Sequence, residues 1–308
     1  HPVAHSFPTR RSSDLLKKPK KADARQFGWG LYLLVIGLFQ KIILADSLLA
    51  PVADKVYGQT YEAAFADAWI GTLAFSGQIF FDFSGYSNCA IGAALCLGFV
   101  IPDNFKFPYG AIGFTDFWRR WHISLSTWLR DYLYISLGGN RKGRARTLVN
   151  IMLTMLIGGL WHGAGWRFIA WGGLHGIYLV AERVLRSVFR GVSILKRRGS
   201  RVVLTLFTYF LLCITWVFFR AQDFPSAFRL ITAMFQPGKT GLVNLADGFV
   251  VAIITLFLLI SHWKLRNSSF EEMLNRIQWW QIGALLAIML LFLALAPADE
   301  RAFIYFQF

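Results

Sequence analysis

The sequence predicts an all-α fold: a polytopic transmembrane helical bundle with an interfacial or cavity-lining amphipathic helix near residues 115–134. Three observations predict it. The 308 residues are 56% hydrophobic and only 16% charged, with a positive mean hydropathy, which is too apolar for a soluble domain of this length. Apolar runs recur at about the 20-residue length that spans a bilayer. The basic residues behind the net charge of +15 fall in short clusters between those runs. That is the distribution of positively charged cytoplasmic loops, and no nucleic-acid partner is expected from it.

From the N-terminus, Ser6 to Leu15 resembles the translation of a common DNA-sequencing adapter. Residues 1–15 are therefore read as a non-native segment, and 16–308 as a single membrane domain truncated on its N-terminal side. Spans are expected near 27–46, 63–81, 85–101, 147–165, 167–185, 201–219, 246–263 and 279–297. Lys17 to Lys21, Arg141 to Arg146, Arg186 to Arg201 and Lys264 to Arg266 would then be cytoplasmic. Three spans fall between the first two clusters, so either 115–134 also crosses or one of the three does not. Cys89, Cys96 and Cys213 lie in apolar runs without metal-ligand spacing and read as small buried hydrophobes.

The middle of the chain interleaves aromatic with charged residues more densely than a lipid-facing span tolerates. On a helix from Thr115 to Tyr134, Thr115, Arg119, His122, Ser126 and Arg130 share one stripe, while Phe117, Trp121, Leu125, Trp128 and Tyr132 share the other. Thr115 is expected to cap this helix, Asp116 to favour its first turn, and Gly138-Gly139-Asn140 to end it. The next span ends in Gly158-Gly159-Leu160-Trp161-His162-Gly163-Ala164-Gly165-Trp166. Its glycines let another backbone or a ligand approach the imidazole closely. Trp161 and Trp166 either wall a site or anchor at the interface. His175, on the following span, reads as a hydrogen-bonded packing residue.

An imidazole kept from bulk water is a common general base for an alcohol, and acyl transfer to oxygen needs little more than that base and a group to hold the oxyanion. His162 is the expected base, and the stripe carrying Arg119 and His122 a candidate oxyanion stabiliser. Arg119 reads equally as a phosphate or headgroup contact. The sequence lacks a G-x-S-x-G elbow, an H-E-x-x-H pair, a P-loop and a dinucleotide fingerprint. No third ligand joins His122 and His162 by spacing, so no metal is expected.

Phe81-Asp-Phe-Ser-Gly-Tyr-Ser87, Asn104-Phe, Pro108-Tyr, Phe117-Trp-Arg-Arg-Trp-His-Ile-Ser-Leu-Ser126, Arg130-Asp-Tyr-Leu-Tyr-Ile135, Leu137-Gly-Gly-Asn-Arg141 and Gly159-Leu-Trp-His-Gly-Ala164 follow in order. Trp216-Val-Phe-Phe-Arg-Ala221 and Phe303-Ile-Tyr-Phe-Gln-Phe308 follow further on. As an ordered set they resemble the membrane-bound O-acyltransferase (MBOAT) family, in the bacterial polysaccharide branch typified by alginate O-acetylation. The resemblance implies that His162 is the catalytic histidine and His122 a second required one. Arg119, Trp161, Ser126 and Asp131 are expected to bind substrate or support the site. It further implies a multi-pass protein of the bacterial inner (cytoplasmic) membrane. The acyl donor, acetyl-CoA or an acyl carrier, would be a substrate and not a tightly bound cofactor, and periplasmic acetyl-transfer or polysaccharide-synthesis proteins would be partners. Full-length members have further spans before the region matching Phe27, as expected for a truncated chain. Two other readings stay open: D-alanyl transfer to a cell-wall polymer, and a transporter or exporter whose histidines line a substrate or proton path.

Overall fold

The computed structural model describes residues 21–58, 63–189, 197–236, 241–268, 277–296, 301 and 303. The expected non-native segment 1–15, the first basic cluster apart from Lys21, and the terminal aromatic motif apart from Phe303 lie outside the described residues. Among the described residues every regular element is helical. We number the α-helices as follows: α1 comprises Ala24–Leu38, a π-helical stretch Phe39–Leu49, and Ala50–Tyr57; α2 is Phe65–Cys96. Next come α3 (Phe114–Trp118) and α4 (Ile123–Trp128), the latter running into a π-helical turn at Leu129–Tyr134. The remainder are α5 (Gly143–Trp161), α6 (Trp166–Val188), α7 (Arg198–Arg220), α8 (Phe224–Ala233), α9 (Leu245–Leu265) and α10 (Trp279–Leu295).

Three of these, α1, α7 and α9, are long and apolar enough to cross a bilayer, and the shorter α10 is apolar apart from Gln281 in its first turn. The start of α1 follows from a capping box, in which the Asp23 carboxylate accepts from the Gln26 N–H at 2.7 Å and the Gln26 side chain answers. The expected spans 63–81 and 85–101 are one helix. At 32 residues α2 is about 48 Å long, well over the roughly 30 Å of a bilayer core. Asp82, Phe83 and Ser84, which fall between the two expected spans, lie buried within it.

Glycines set how α1 meets α2. A Cβ on Gly30 would sit 2.7 Å from the Gly92 carbonyl oxygen, and one on Gly37 2.6 Å from that of Gly85. The two backbones touch, antiparallel, as small residues permit between membrane helices. α5 and α6 pack the same way, with Gly159 against the Phe168 carbonyl and Gly172 against that of Met155. α9 runs parallel to α2, since Gly248 meets Ile70 and Gly77 lies near Leu258. Arg186 at the end of α6 reaches the Ile112 carbonyl, and Arg266 after α9 pairs with Asp116 at 2.9 Å. The basic ends of α6 and α9 therefore gather at one end of the bundle, beside 112–120. Asp54, held by Arg220 at 2.7 Å and Arg301 at 2.5 Å, ties α1, α7 and Arg301 together elsewhere. Because α2 is a single helix antiparallel to α1, it returns the chain to the end of the bundle where α1 began. The segment 115–134 has no need to cross.

That segment is also not one helix. α3 begins at Phe114 behind Gly113 (φ +82°), and the Thr115 N–H goes to the Glu182 carboxylate at 2.9 Å, so Thr115 is not the cap. Asp116 does occupy the first turn, accepting from the Ile112 N–H. The helix breaks at 119–122. Asn104 takes the N–H groups that would have continued it: the Ile123 N–H bonds the Asn104 carbonyl at 3.0 Å, and Ser124 bonds its side-chain oxygen. His122 is left with φ +43°, a left-handed conformation that L-residues other than Asn, Asp and His seldom take. Gly138 (φ +105°) and Gly139 (φ +51°) close the region, as expected of the Gly-Gly-Asn stop.

Candidate active site

The break at His122 sends the two members of the first Trp-His pair to different surroundings. Trp121 is 2% exposed and packs among Phe80, Phe105, Phe117 and Trp216. The His122 ring lies edge-on to Phe83 at 4.5 Å and 6.3 Å from Trp161. The second pair is arranged the other way. Trp161 is 58% exposed, while His162, which ends α5, is enclosed by Trp161 at 5.2 Å, Trp171 at 5.0 Å and Phe219 at 5.4 Å. Trp161 thus packs against both histidines. Trp166 is 74% exposed and touches neither, consistent with an interfacial anchor.

The glycines around His162 admit a backbone. Gly159 faces the Phe168 carbonyl, and a Cβ on Gly163 would lie 2.5 Å from the Phe168 ring. They bring α6 against α5 closely enough for Trp171 to reach His162. Phe83, the partner of His122, also meets Phe303 at 5.6 Å, and Phe303 stacks on Tyr86 at 4.7 Å. Phe303 therefore borders the site, a contact that no local sequence pattern signals.

Arg119 and Ser126 do not join the histidines. Both line a separate cavity of about 810 Å³ bounded by α3–α6. Five arginines line it, Arg119, Arg130, Arg144, Arg183 and Arg186, with no acidic residue in the lining. Asp131 pairs with Arg130 at 2.7 Å, and Glu182 with Arg186 at 2.6 Å. Arg119 and Arg144 have no ion-pair or hydrogen-bond partner among the described residues. Towards the interior the cavity ends at Trp118, Thr154 and Met155. His162 lies seven residues beyond Met155, about 10 Å along the α5 axis. The expected placement of Arg119 beside His122 is corrected by the break: with α3 and α4 no longer one helix, the shared stripe no longer exists.

His175 packs as expected but without the expected hydrogen bond. It is fully buried against Phe114, Trp118 and Trp171, and neither ring nitrogen has a hydrogen-bond partner among the described residues. Sequence reasoning passed over His262, in the apolar run of α9. Its Nδ1 accepts from the Tyr109 N–H at 3.1 Å and its ring meets Phe80 at 4.8 Å, so it pins the turn at Pro108–Gly110 beneath the aromatic core. A histidine within an otherwise apolar span was the available signal. Lys41, Asp46 and Asp82 form a further buried cluster, with Lys41 paired to both carboxylates. Among the described residues no three His, Cys, Asp or Glu side chains gather as a metal site would require.

Comparison with known proteins adds to this geometry. The family model of the membrane-bound O-acyltransferases matches residues 5–221, more than two thirds of the chain and both Trp-His pairs. The chain belongs to the MBOAT family. It is therefore a membrane-embedded protein. Among MBOAT relatives, it is 45% identical over 237 residues to a protein of Azotobacter vinelandii named "Probable alginate O-acetylase AlgI", covering 77% of this chain and 46% of that one. A protein of Pseudomonas putida with the same name is 40% identical over 306 residues, covering 92% and 61%. A peptidoglycan O-acetyltransferase of Helicobacter pylori is 35% identical over 313 residues, covering 95% and 59%. The chain spans roughly half to three fifths of the length of these relatives.

Proposed function

We propose that this MBOAT chain carries the catalytic centre of a membrane O-acetyltransferase that places acetyl groups on hydroxyls of an exported polysaccharide. The observation that carries the reading is the meeting of His122 and His162 on Trp161, in a wall of aromatic rings. His162, enclosed and at the end of α5, acts as general base on the acceptor hydroxyl. His122 orients the acceptor or steadies developing charge. The names of the relatives support acetyl as the group and a cell-envelope polymer as the acceptor.

The donor half of the reading rests on the arginine-lined cavity. Arginine suits phosphate, through its forked and permanently charged guanidinium. Among the described residues Arg119, Arg144 and Arg183 have no carboxylate to neutralise them, Arg183 meeting only the Asn140 amide oxygen, so a phosphate-bearing acetyl thioester, either coenzyme A or a carrier's phosphopantetheine, fits there. The positive-inside rule supports a cytoplasmic position for this basic end, with the protein in a bacterial inner membrane. In membranes holding the natural protein, Arg119→Ala and Arg144→Ala are each expected to raise the KM for acetyl-CoA roughly tenfold or more with kcat little changed, since a hydrogen bond to a charged group contributes about 1.5–3 kcal/mol. An unchanged KM in both would remove the cavity from donor binding.

The function itself is tested by deletion in the native host. Loss of the protein should abolish ester-linked acetate on the exported polymer and leave polymer yield unchanged. An exporter would show the opposite, with yield falling and the remaining polymer still esterified.

A further inference from the structure

Between the arginine-lined cavity and His162 lies one layer of aromatic side chains, and its polar atoms are unsatisfied. The indole N–H groups of Trp118, Trp171 and Trp216 and both ring nitrogens of His175 are buried without a hydrogen-bond partner among the described residues. Trp171 is 1% exposed, and Trp216 and His175 are fully buried. Buried donors are normally paired, and those that are not call for a reason such as a catalytic role. Of these indoles, Trp171 packs against His162, its ring 5.0 Å away and nearly perpendicular at 85°. Trp171 also joins Trp118 at 5.9 Å, and Trp118 lines the cavity, so Trp171 stands between the donor chamber and the base. Its position is held by Trp216, stacked at 6.2 Å, and by Phe219 at 5.3 Å.

We infer that the Trp171 Nε1–H is the oxyanion donor of this site. The assignment rests on the reading of His162 as general base, and it gives the reaction the component that Arg119, out in the cavity, does not supply. The acceptor hydroxyl gives its proton to His162 as its oxygen bonds to the carbonyl carbon of the acetyl thioester. The carbonyl π electrons move onto oxygen, and that oxyanion accepts from the Trp171 N–H. As the carbonyl re-forms, the C–S bond breaks and the thiolate takes the proton from His162, leaving the ester, the thiol and the original imidazole. A donor fixed by packing and screened from water stabilises charge far better than one that must reorient.

The test is the initial rate of labelled acetate incorporation into exported polymer, in native-host cells whose only copy of the protein is varied, alongside its amount in the membrane. Trp171→Phe keeps an aromatic ring and removes the donor. It is expected to be slower by about 100-fold or more, the usual effect of losing one oxyanion donor. Trp166→Phe changes an exposed indole that packs against neither histidine, and should stay within about threefold of the natural protein. A Trp171→Phe rate within threefold overturns the assignment. If that variant fails to accumulate, benzothienylalanine at 171 replaces the N–H by sulfur at the same shape, and a full rate there overturns it equally. His162→Ala measured in parallel separates the two ideas. If it keeps its activity, the site reading itself falls; if it loses activity while the Trp171 variants do not, only the oxyanion assignment falls.

Discussion

Cells whose only copy of this protein carries His162→Ala should export polymer with no ester-linked acetate, while the variant reaches the membrane in normal amount. The chemical part of this expectation is direct. A positioned base contributes roughly 10²–10⁴-fold to proton transfer, and the rings that pack against His162, those of Trp161, Trp171 and Phe219, carry no basic atom. The structural part is modest, because those aromatic rings also pack against one another and against Trp216 and Phe168. His122 needs a different variant. Its backbone is left-handed at φ +43°, where alanine would add strain to the loss of the imidazole. Asparagine tolerates that conformation, so His122→Asn reports on the ring alone. It should cut acetylation strongly with membrane levels unchanged. Polymer acetate and immunoblotted membrane protein, taken from the same cultures, check both. Normal acetate in the His162→Ala strain would sink the enzymatic reading.

The second large effect is on folding. Gly85→Leu is expected to destabilise the bundle by about 3 kcal/mol, at the upper end of ordinary overpacking, and to lower sharply the yield of detergent-stable protein. A Cβ at 85 would lie 2.6 Å from the Gly37 carbonyl oxygen and 3.0 Å from the Lys41 N, both backbone atoms of α1 that no side-chain rotation can move. α1 and α2 would have to part along the Gly30–Gly92 and Gly37–Gly85 contacts. Lys41 would be drawn from Asp82, and separating a buried ion pair is costly in itself. Gly28→Ala is the control, since its added Cβ meets nothing within 4 Å. Thermal unfolding of both variants in detergent, followed by loss of monodisperse protein, decides the matter. If Gly85→Leu melts with the natural protein, the paired glycines are not what joins the two helices.

Much of this was legible locally. The ends of α5 and α6 could be read because each is bounded by residues that act through their own chemistry: the arginines at 141–146 and 183–186, and the glycines from 158 to 165. Hydropathy over one turn or one span also reports the apolar helices α7, α9 and α10, because lipid contact acts on every residue separately. The boundary expected near residue 84 was misplaced for a physical reason. Ser84, Gly85 and Ser87 look like a break to a hydropathy window, yet they are the polar and small residues that a close helix–helix contact requires.

What the sequence by itself determined is the class of the molecule, the long helices, and His122 and His162 as the residues to examine. Only the tertiary structure decided which side chains stand together. The stripe of Arg119, His122 and Ser126 assumed a continuous helix, and it dissolved because Asn104, distant along the chain, takes the N–H groups that helix needed. Arg119 thereby went to the cavity and His122 to Trp161. Trp171, 9 residues past His162 on another helix, reached the imidazole because Gly159 and Gly172 let two backbones touch. Periodicity sees neighbours along the chain; a site made where four or five helices converge depends on contacts that no local pattern encodes.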